Sequence, residues 1–288
     1  MNYYKILNKD ECHNGLQYHN GLNIDPVPFN PSGACQPGGM YFASKDILEF
    51  LSDGPWIRQV TLPDDAQIYK DPGGVQKWKA DKFILGRRRK VASAKVIEEL
   101  IADGVDFRAS MDEPLRWACS HGHTGVVKIL LKHGVSVHMY NDLAIKNASL
   151  EGYLAIVKLL VRHGANPHVD NEMPLSHASG RGHLDIVKYL VELNTDVKTR
   201  CNGAIYWACV NNHVEVVSYL FSIGIPLEDQ TLKYIMDEDH MEVLRLYIKY
   251  TTKIVPYKFV RYARYWKQDD IVQMLLEHRK EFRKRNAS

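Results

Sequence analysis

Cysteine is scarce in this chain: Cys12, Cys35, Cys119, Cys201 and Cys209 are five of 288 residues, and none stand in a Cys-x-x-Cys spacing. So odd and scattered a set excludes the disulfide framework of a small secreted fold and offers no zinc-binding pattern. Free thiols in a reducing compartment are expected. Net charge is scarce as well. Lysine and arginine number 37 against 34 aspartates and glutamates, and the resulting +3 does not by itself imply a nucleic-acid partner. No apolar run approaches the roughly 20 residues of a membrane-spanning helix, and residues 1–10 lack the apolar core of a secretory leader. The expectation is an intracellular, cytoplasmic chain with no membrane partner, the nucleus being the second compartment open to it. The rest is ordinary globular composition, 45% hydrophobic and 25% charged, long enough for two domains.

What the chain does have is a repeat. Four segments align without a gap at an offset of 30 residues: Trp117-Ala118-Cys119-Ser120-His121-Gly122-His123, Asn147-Ala148-Ser149-Leu150-Glu151-Gly152-Tyr153, His177-Ala178-Ser179-Gly180-Arg181-Gly182-His183 and Trp207-Ala208-Cys209-Val210-Asn211-Asn212-His213. Each is followed by two apolar groups, as in Val126-Val127 with Leu130-Leu131 or Ile186-Val187 with Leu190-Val191. Apolar residues so spaced share one face of a helix. Gly134, Gly164 and Gly224 follow three of these helices where a left-handed cap is needed, and Asn194 takes that place in the third unit. Weaker copies flank the four: Val96-Ile97 with Leu100-Ile101 before them, His240-Met241-Glu242-Val243-Leu244 and Ile271-Val272 with Leu275-Leu276 after. Six or seven units over 87–288 are predicted, with atypical ends that cap a stack.

The segments Glu113-Pro114-Leu115-Arg116-Trp117-Ala118 and Met173-Pro174-Leu175-Ser176-His177-Ala178, the pairs Gly122-His123 and Gly182-His183, and Gly164-Ala165-Asn166 resemble the ankyrin consensus. The resemblance implies an α-helical ankyrin-repeat solenoid. The family's period is about 33 residues. The shortfall lies between the closing glycine and the next helix, so the β-hairpin fingers are expected to be shortened and the concave first helices to dominate contact. In the resembled fold, the residue before the recurrent alanine faces the concave groove. So do the residues just after the alanine and its neighbour. That selects Trp117, Asn147, His177 and Trp207 as one ladder and Ser120, His121, Leu150, Glu151, Arg181, Val210 and Asn211 as another. The two tryptophans read either as interface anchors or as core between units. The whole arrangement is similar to ankyrin proteins of mimivirus-type giant viruses, which implies a monomeric adaptor with a protein partner, plausibly a host factor. No catalytic, metal or cofactor residue is expected.

His123, His183 and His213 recur at one position, which reads as structural bonding between units rather than a metal clamp. The run Arg87-Arg88-Arg89-Lys90 reads first as a solvated linker or exposed helix and second as a nuclear-import signal. Lys258, Arg261, Arg264 and Lys267 interleave with Tyr257, Tyr262, Tyr265 and Trp266. That is an end-capping helix with a wet face or, second, a nucleic-acid contact.

Residues 1–86 lack the repeat. Strands are expected at 3–7, 56–62, 66–69 and 82–85, a helix at 45–51 capped by Ser44, and a loop at 23–39 with four prolines and three glycines. The chain thus reads as a small α+β domain over 1–86 ahead of a solenoid over 87–288. Gly38-Gly39-Met40-Tyr41-Phe42-Ala43-Ser44 resembles the GxGIYFA segment of poly(ADP-ribose) polymerase-type ADP-ribosyltransferases. The resemblance would place Tyr41 on a nicotinamide and put Asp81 where the family carries its catalytic glutamate. Lys5-Ile6-Leu7-Asn8 stands where the family carries a histidine on the first strand. An ADP-ribosyltransferase-like domain, inactive or active, is the alternative function.

Overall fold

The computed structural model describes residues 2–31, 37–73, 75–105, 107, 113–193 and 202–286; Cys35, Asn194 and Cys201 lie outside them. The chain divides into two compact units, residues 1–144 with 162–164 and residues 145–161 with 165–288.

The first unit is built on one antiparallel sheet. Its strands run in the order β4 (Gly21–Ile24), β9 (Lys82–Leu85), β6 (Trp56–Thr61), β1 (Tyr3–Leu7), β5 (Met40–Ala43), β8 (Lys77–Ala80), β7 (Ile68–Lys70). A short strand β10 (Arg89–Lys90) pairs with β6, and β2 (Cys12–His13) and β3 (Leu16–Gln17) form a separate hairpin. Leu7, Tyr18, Met40, Phe42, Val60, Trp78, Phe83 and Leu85 form a buried cluster, with Tyr3 packed edge-on to Phe42 at 5.1 Å. Met40 and Phe42 alternate with Tyr41 and Ala43 along β5, and Trp78 with Lys77 and Lys79 along β8, the two-residue period of a strand. Arg58 and Glu11 form a buried bidentate pair, at 2.8 Å in both contacts.

The expected strands at 3–7, 56–62, 66–69 and 82–85 correspond to β1, β6, β7 and β9. The expected helix is a 3-10 helix, Ile47–Asp53, and Ser44 does not cap it. The Ser44 hydroxyl is buried without a partner, and Asp46 instead accepts the Gln76 N–H at 2.7 Å. The Arg87–Lys90 run is not a helix: Arg87 and Arg88 are an exposed connection after β9, as a linker would be, and only the second half is strand. Arg89 and Lys90 form β10, the Arg88 guanidinium lies 4.6 Å from the Trp56 ring centroid, and Arg89 pairs with Glu99 at 2.7 Å.

Helices follow in pairs after a lone α1 (Ala94–Ala102). In the first unit these are α2 (Glu113–Ser120) and α3 (Thr124–Lys132). Then come α4 (Met139–Leu150) with α5 (Leu154–Arg162), α6 (Val169–Gly180) with α7 (Leu184–Glu192), and α8 (Asn202–Val210) with α9 (Val214–Ser222). Two further pairs close the chain: α10 (Asp229–Asp237) with α11 (Met241–Tyr250), and α12 (Tyr257–Tyr265) with α13 (Asp269–Arg285). The recurrent Ala118, Ala148, Ala178 and Ala208 are wholly buried, as are the aliphatic doublets of the second helices. Each such aliphatic side chain contributes about 1.5–3 kcal/mol by leaving water. Cys119 and Cys209 hold the repeat position that Ser149 and Ser179 hold in the other pairs, and each of the four is fully buried. Burial pushes both thiols up to about 12, so they act as small core groups rather than nucleophiles.

Residues 133–138 and 163–168 contain no strand, consistent with shortened fingers. A left-handed turn opens the next helix instead, Tyr140 to Asp142 in one case and Asp170 to Glu172 in the other. The buried carboxylates of Asp142 and Glu172 meet the Nδ1 of His138 and His168 at 3.2 and 3.0 Å.

The residue between the two helices of each pair is also left-handed. Gly122, Gly152 and Gly182 occupy it in three pairs; Asn212, Asp239 and Lys267 occupy it later, at φ 56°, 54° and 57°. A side chain in this conformation costs about 1–2 kcal/mol, least for asparagine and aspartate. Against that stands the roughly 0.5–1 kcal/mol that glycine loses in ordering. Lys267→Gly is therefore expected to raise stability by about 0.5–1 kcal/mol, read as a higher urea midpoint, and Asn212→Gly by less. A fall in the midpoint for Lys267→Gly would contradict the strain.

Candidate functional site

Within the second unit the last turns of α4, from Ile145 on, and the first helices α6 and α8 are joined by side-chain bonds that hold their outward residues in rows. The Nε2–H of His183 donates to the Leu150 carbonyl and that of His213 to the Gly180 carbonyl, both at 3.0 Å. His240 uses Nδ1 instead, to the Cys209 carbonyl at 3.1 Å, and the Gln268 amide donates to the Met236 carbonyl at 2.5 Å. The recurrent histidine is structural, as its sequence position suggests. The choice of carbonyl follows the left-handed residue. A Cβ at Gly152 would stand 2.6 Å from the His183 ring, and one at Gly182 2.7 Å from the His213 ring. Where Asn212 and Asp239 do carry a Cβ, the donor takes the carbonyl one residue earlier in the helix.

The rows so held contain Asn147, Leu150, Glu151, His177, Arg181, Trp207, Val210 and Asn211. Glu151, Arg181, Trp207 and Asn211 are exposed; Asn147, Leu150, His177 and Val210 are half-buried. His177 faces the Lys146 carbonyl through Nδ1 at 3.3 Å, and Lys146 reaches Asp170 at 2.6 Å, so α4 and α6 are joined on this side too. Trp207 is 47% exposed; its Cβ lies against Gly180 and its ring meets Tyr206 edge-on at 5.2 Å. Asn211 donates to the Trp207 carbonyl at 2.9 Å.

The equivalent residues of the first unit differ. Trp117 is only 7% exposed, its ring centred 4.6 Å from His123 and 5.5 Å from His121. The two tryptophans, alike in sequence position, thus divide between core and surface. Its neighbour there is His123 rather than open groove, and no sequence signal separates the two cases. Ser120 is half-buried, with its hydroxyl donating to the Arg116 carbonyl, and His121 is exposed.

In the basic C-terminal pair several groups are already engaged. Lys258 pairs with Asp229, the Tyr262 hydroxyl donates to Asp237 at 2.7 Å, and Arg279 donates to the Val255 carbonyl. Tyr265 and Trp266 remain strongly exposed. Of the residues that the transferase resemblance selects, Tyr41 is half-buried on the wall of a cleft. Asp81 is not among that cleft's lining residues; its carboxylate accepts the Gln67 N–H at 2.8 Å. Among the described residues no helix is long and apolar enough to cross a membrane.

Comparison with known proteins agrees with the repeat geometry. A family model described as ankyrin repeats (three copies) matches residues 90–171 and 145–231. A protein of Acanthamoeba polyphaga mimivirus described as an ankyrin repeat protein is 43% identical over 118 residues, which are 38% of this chain and 38% of that protein. A second such protein of the same virus is 36% identical over 134 residues, covering 44% of this chain and 65% of its own length. An uncharacterized protein of that virus is 37% identical over 129 residues, 43% of this chain and 94% of the relative. The match thus spans less than two thirds of the first two relatives. The crystal structure of the human ASB11 ankyrin repeat domain shares the fold, with a TM-score of 0.51 at 24% identity over 57% of this chain and 83% of that one.

Proposed function

Because the chain belongs to the ankyrin-repeat family, we propose that it binds a partner protein, a factor of the virus's host, through the first-helix rows between Asn147 and Asn211. The organisation assumed is a domain over 1–86 ahead of a solenoid over 87–288, acting as a monomer in the host cytoplasm. The observation that carries this reading is Trp207. It is a large apolar side chain about half exposed, in the row the fold uses for contact, flanked by the exposed Arg181 and Asn211. Tryptophan and arginine are the side chains most enriched among interface hot spots. Trp117 drops out of the contact set because it is buried, and Ser120 and His121, in the other unit, lie outside these rows.

The test is capture of a partner from Acanthamoeba lysate with the full chain, followed by titration of that partner against variants. Trp207→Ala is expected to weaken binding by about 2 kcal/mol, roughly 30-fold, with an unchanged circular dichroism spectrum. Unaltered affinity in a folded Trp207→Ala sinks the surface assignment.

A second reading gives residues 1–86 ADP-ribosyltransferase-like chemistry; the place of Tyr41 on a cleft wall favours it. Label transfer from NAD that disappears in Tyr41→Ala would support it, and no transfer by the wild type would end it.

A further inference from the structure

The sheet of the first unit is split. β1 pairs with β6 along all five of its residues, but with β5 only at Tyr4–Ala43. Beyond that pair the strands part, and a cleft of about 480 Å³ opens between them. Consecutive residues of both strands line it, Tyr4 to Leu7 and Tyr41 to Ala43, so it runs through the sheet rather than along one face. Its volume lies in the range of small-molecule sites.

From these features we propose that the split binds a small organic phosphate, with the anion between Lys5 and Lys77 and the organic body against the apolar wall. The claim depends neither on partner binding by the repeats nor on any transfer reaction.

Lys5 is only 6% exposed, an unusual place for an ammonium group. Its Nζ donates to the Tyr41 carbonyl at 2.6 Å across the split and lies 4.9 Å from the Tyr18 ring centroid. Lys77 enters from β8, its Nζ 4.4 Å from the Tyr41 ring centroid. The carboxylate facing these two from the 3-10 helix is Asp53, and His13 faces them from the β2–β3 hairpin. Arg58 is the cross-strand neighbour of Lys5, but Glu11 already neutralises it. Two lysines against one carboxylate leave the lining positive, and a doubly charged phosphate ester matches it better than a single carboxylate does. Ile6, Ile47 and Phe50 supply an apolar wall that a bare ion would leave unused. Burial, reinforced by Lys77, pulls Lys5 down to about 8 despite the opposing pull of Asp53. Burial and Lys5 pull His13 below its usual value, so it is neutral at pH 7.

The probe is phenyl phosphate, titrated against the full chain by ligand-observed NMR, with inorganic phosphate supplying the charge alone and phenol the ring alone. Phenyl phosphate is expected to bind at least tenfold more tightly than either. Its affinity should fall about tenfold from pH 7 to pH 9, because Lys5 loses its proton over that interval while the phosphate stays dianionic. Lys77→Met should weaken binding at least tenfold, and Lys5→Met should abolish it. If Lys5→Met does not fold, the half-buried Lys77→Met and the pH arm decide. Phenol binding as well as phenyl phosphate, full affinity in folded Lys77→Met, or no binding at pH 7 would each overturn the proposal.

Discussion

Trp117→Ala is expected to destabilise the protein by about 3–5 kcal/mol, the range for emptying a tryptophan-sized site in a core. The ring is enclosed between His123 and His121, and the His121 ring nitrogen bonds the Trp117 carbonyl at 2.8 Å. Its removal leaves a void beneath α2, and α2 packs against the 3-10 helix of the same unit. The cost should therefore reach the sheet as well as the repeat. Urea titration followed at 222 nm measures the loss. Trp207→Ala serves as the internal control and should cost less than about 1 kcal/mol, as changes at exposed side chains do. Equal losses for the two variants would show that burial does not distinguish them.

Gly182→Ala is expected to cost about 2–3 kcal/mol. Alanine at φ 78° meets the left-handed penalty of about 1–2 kcal/mol. Its Cβ also lands 2.7 Å from the His213 ring, so that ring must leave the Gly180 carbonyl. Gly182→Asn should cost about half as much. Asparagine tolerates the conformation, and His213 can then take the carbonyl one residue earlier, as His240 does beside Asn212. Chemical denaturation of both variants gives the ranking, and an asparagine variant weaker than the alanine one would refute this account of the junction.

The repeat was legible because burial at a fixed spacing leaves a compositional trace. The alanine, the aliphatic doublet and the glycine each satisfy a local steric demand that recurs every 30 residues. The recurring histidine was legible for the same reason. What could not be read was the difference between Trp117 and Trp207, because each environment depends on side chains brought in by other helices. The N-terminal sheet was half legible. β1 and β6 are apolar runs, whereas β8, Lys77-Trp78-Lys79-Ala80, reads as a polar stretch because two lysines occupy one of its faces. Lys5 carries no sequence signal beyond standing where the resembled transferases have a histidine. Nothing in Tyr3-Tyr4-Lys5-Ile6-Leu7 announces that its amine spans a split in a sheet. That placement comes from the single Tyr4–Ala43 pairing, a long-range fact with no local signature.

The glycine of one pair and the ring of the next form a match across a boundary, and this governs how the array can change length. A further copy of the module that carries Gly182 and His183 leaves a glycine facing a histidine at the new seam, whereas a copy of the module that carries Gly152 brings Tyr153 to it. A module spliced in after Asn212 would bring a histidine that expects a glycine and finds a Cβ. Duplication thus reproduces an existing joint only at that module; toward the C-terminal end the pairs differ in length and in their choice of donor, so a copied ring must change its carbonyl.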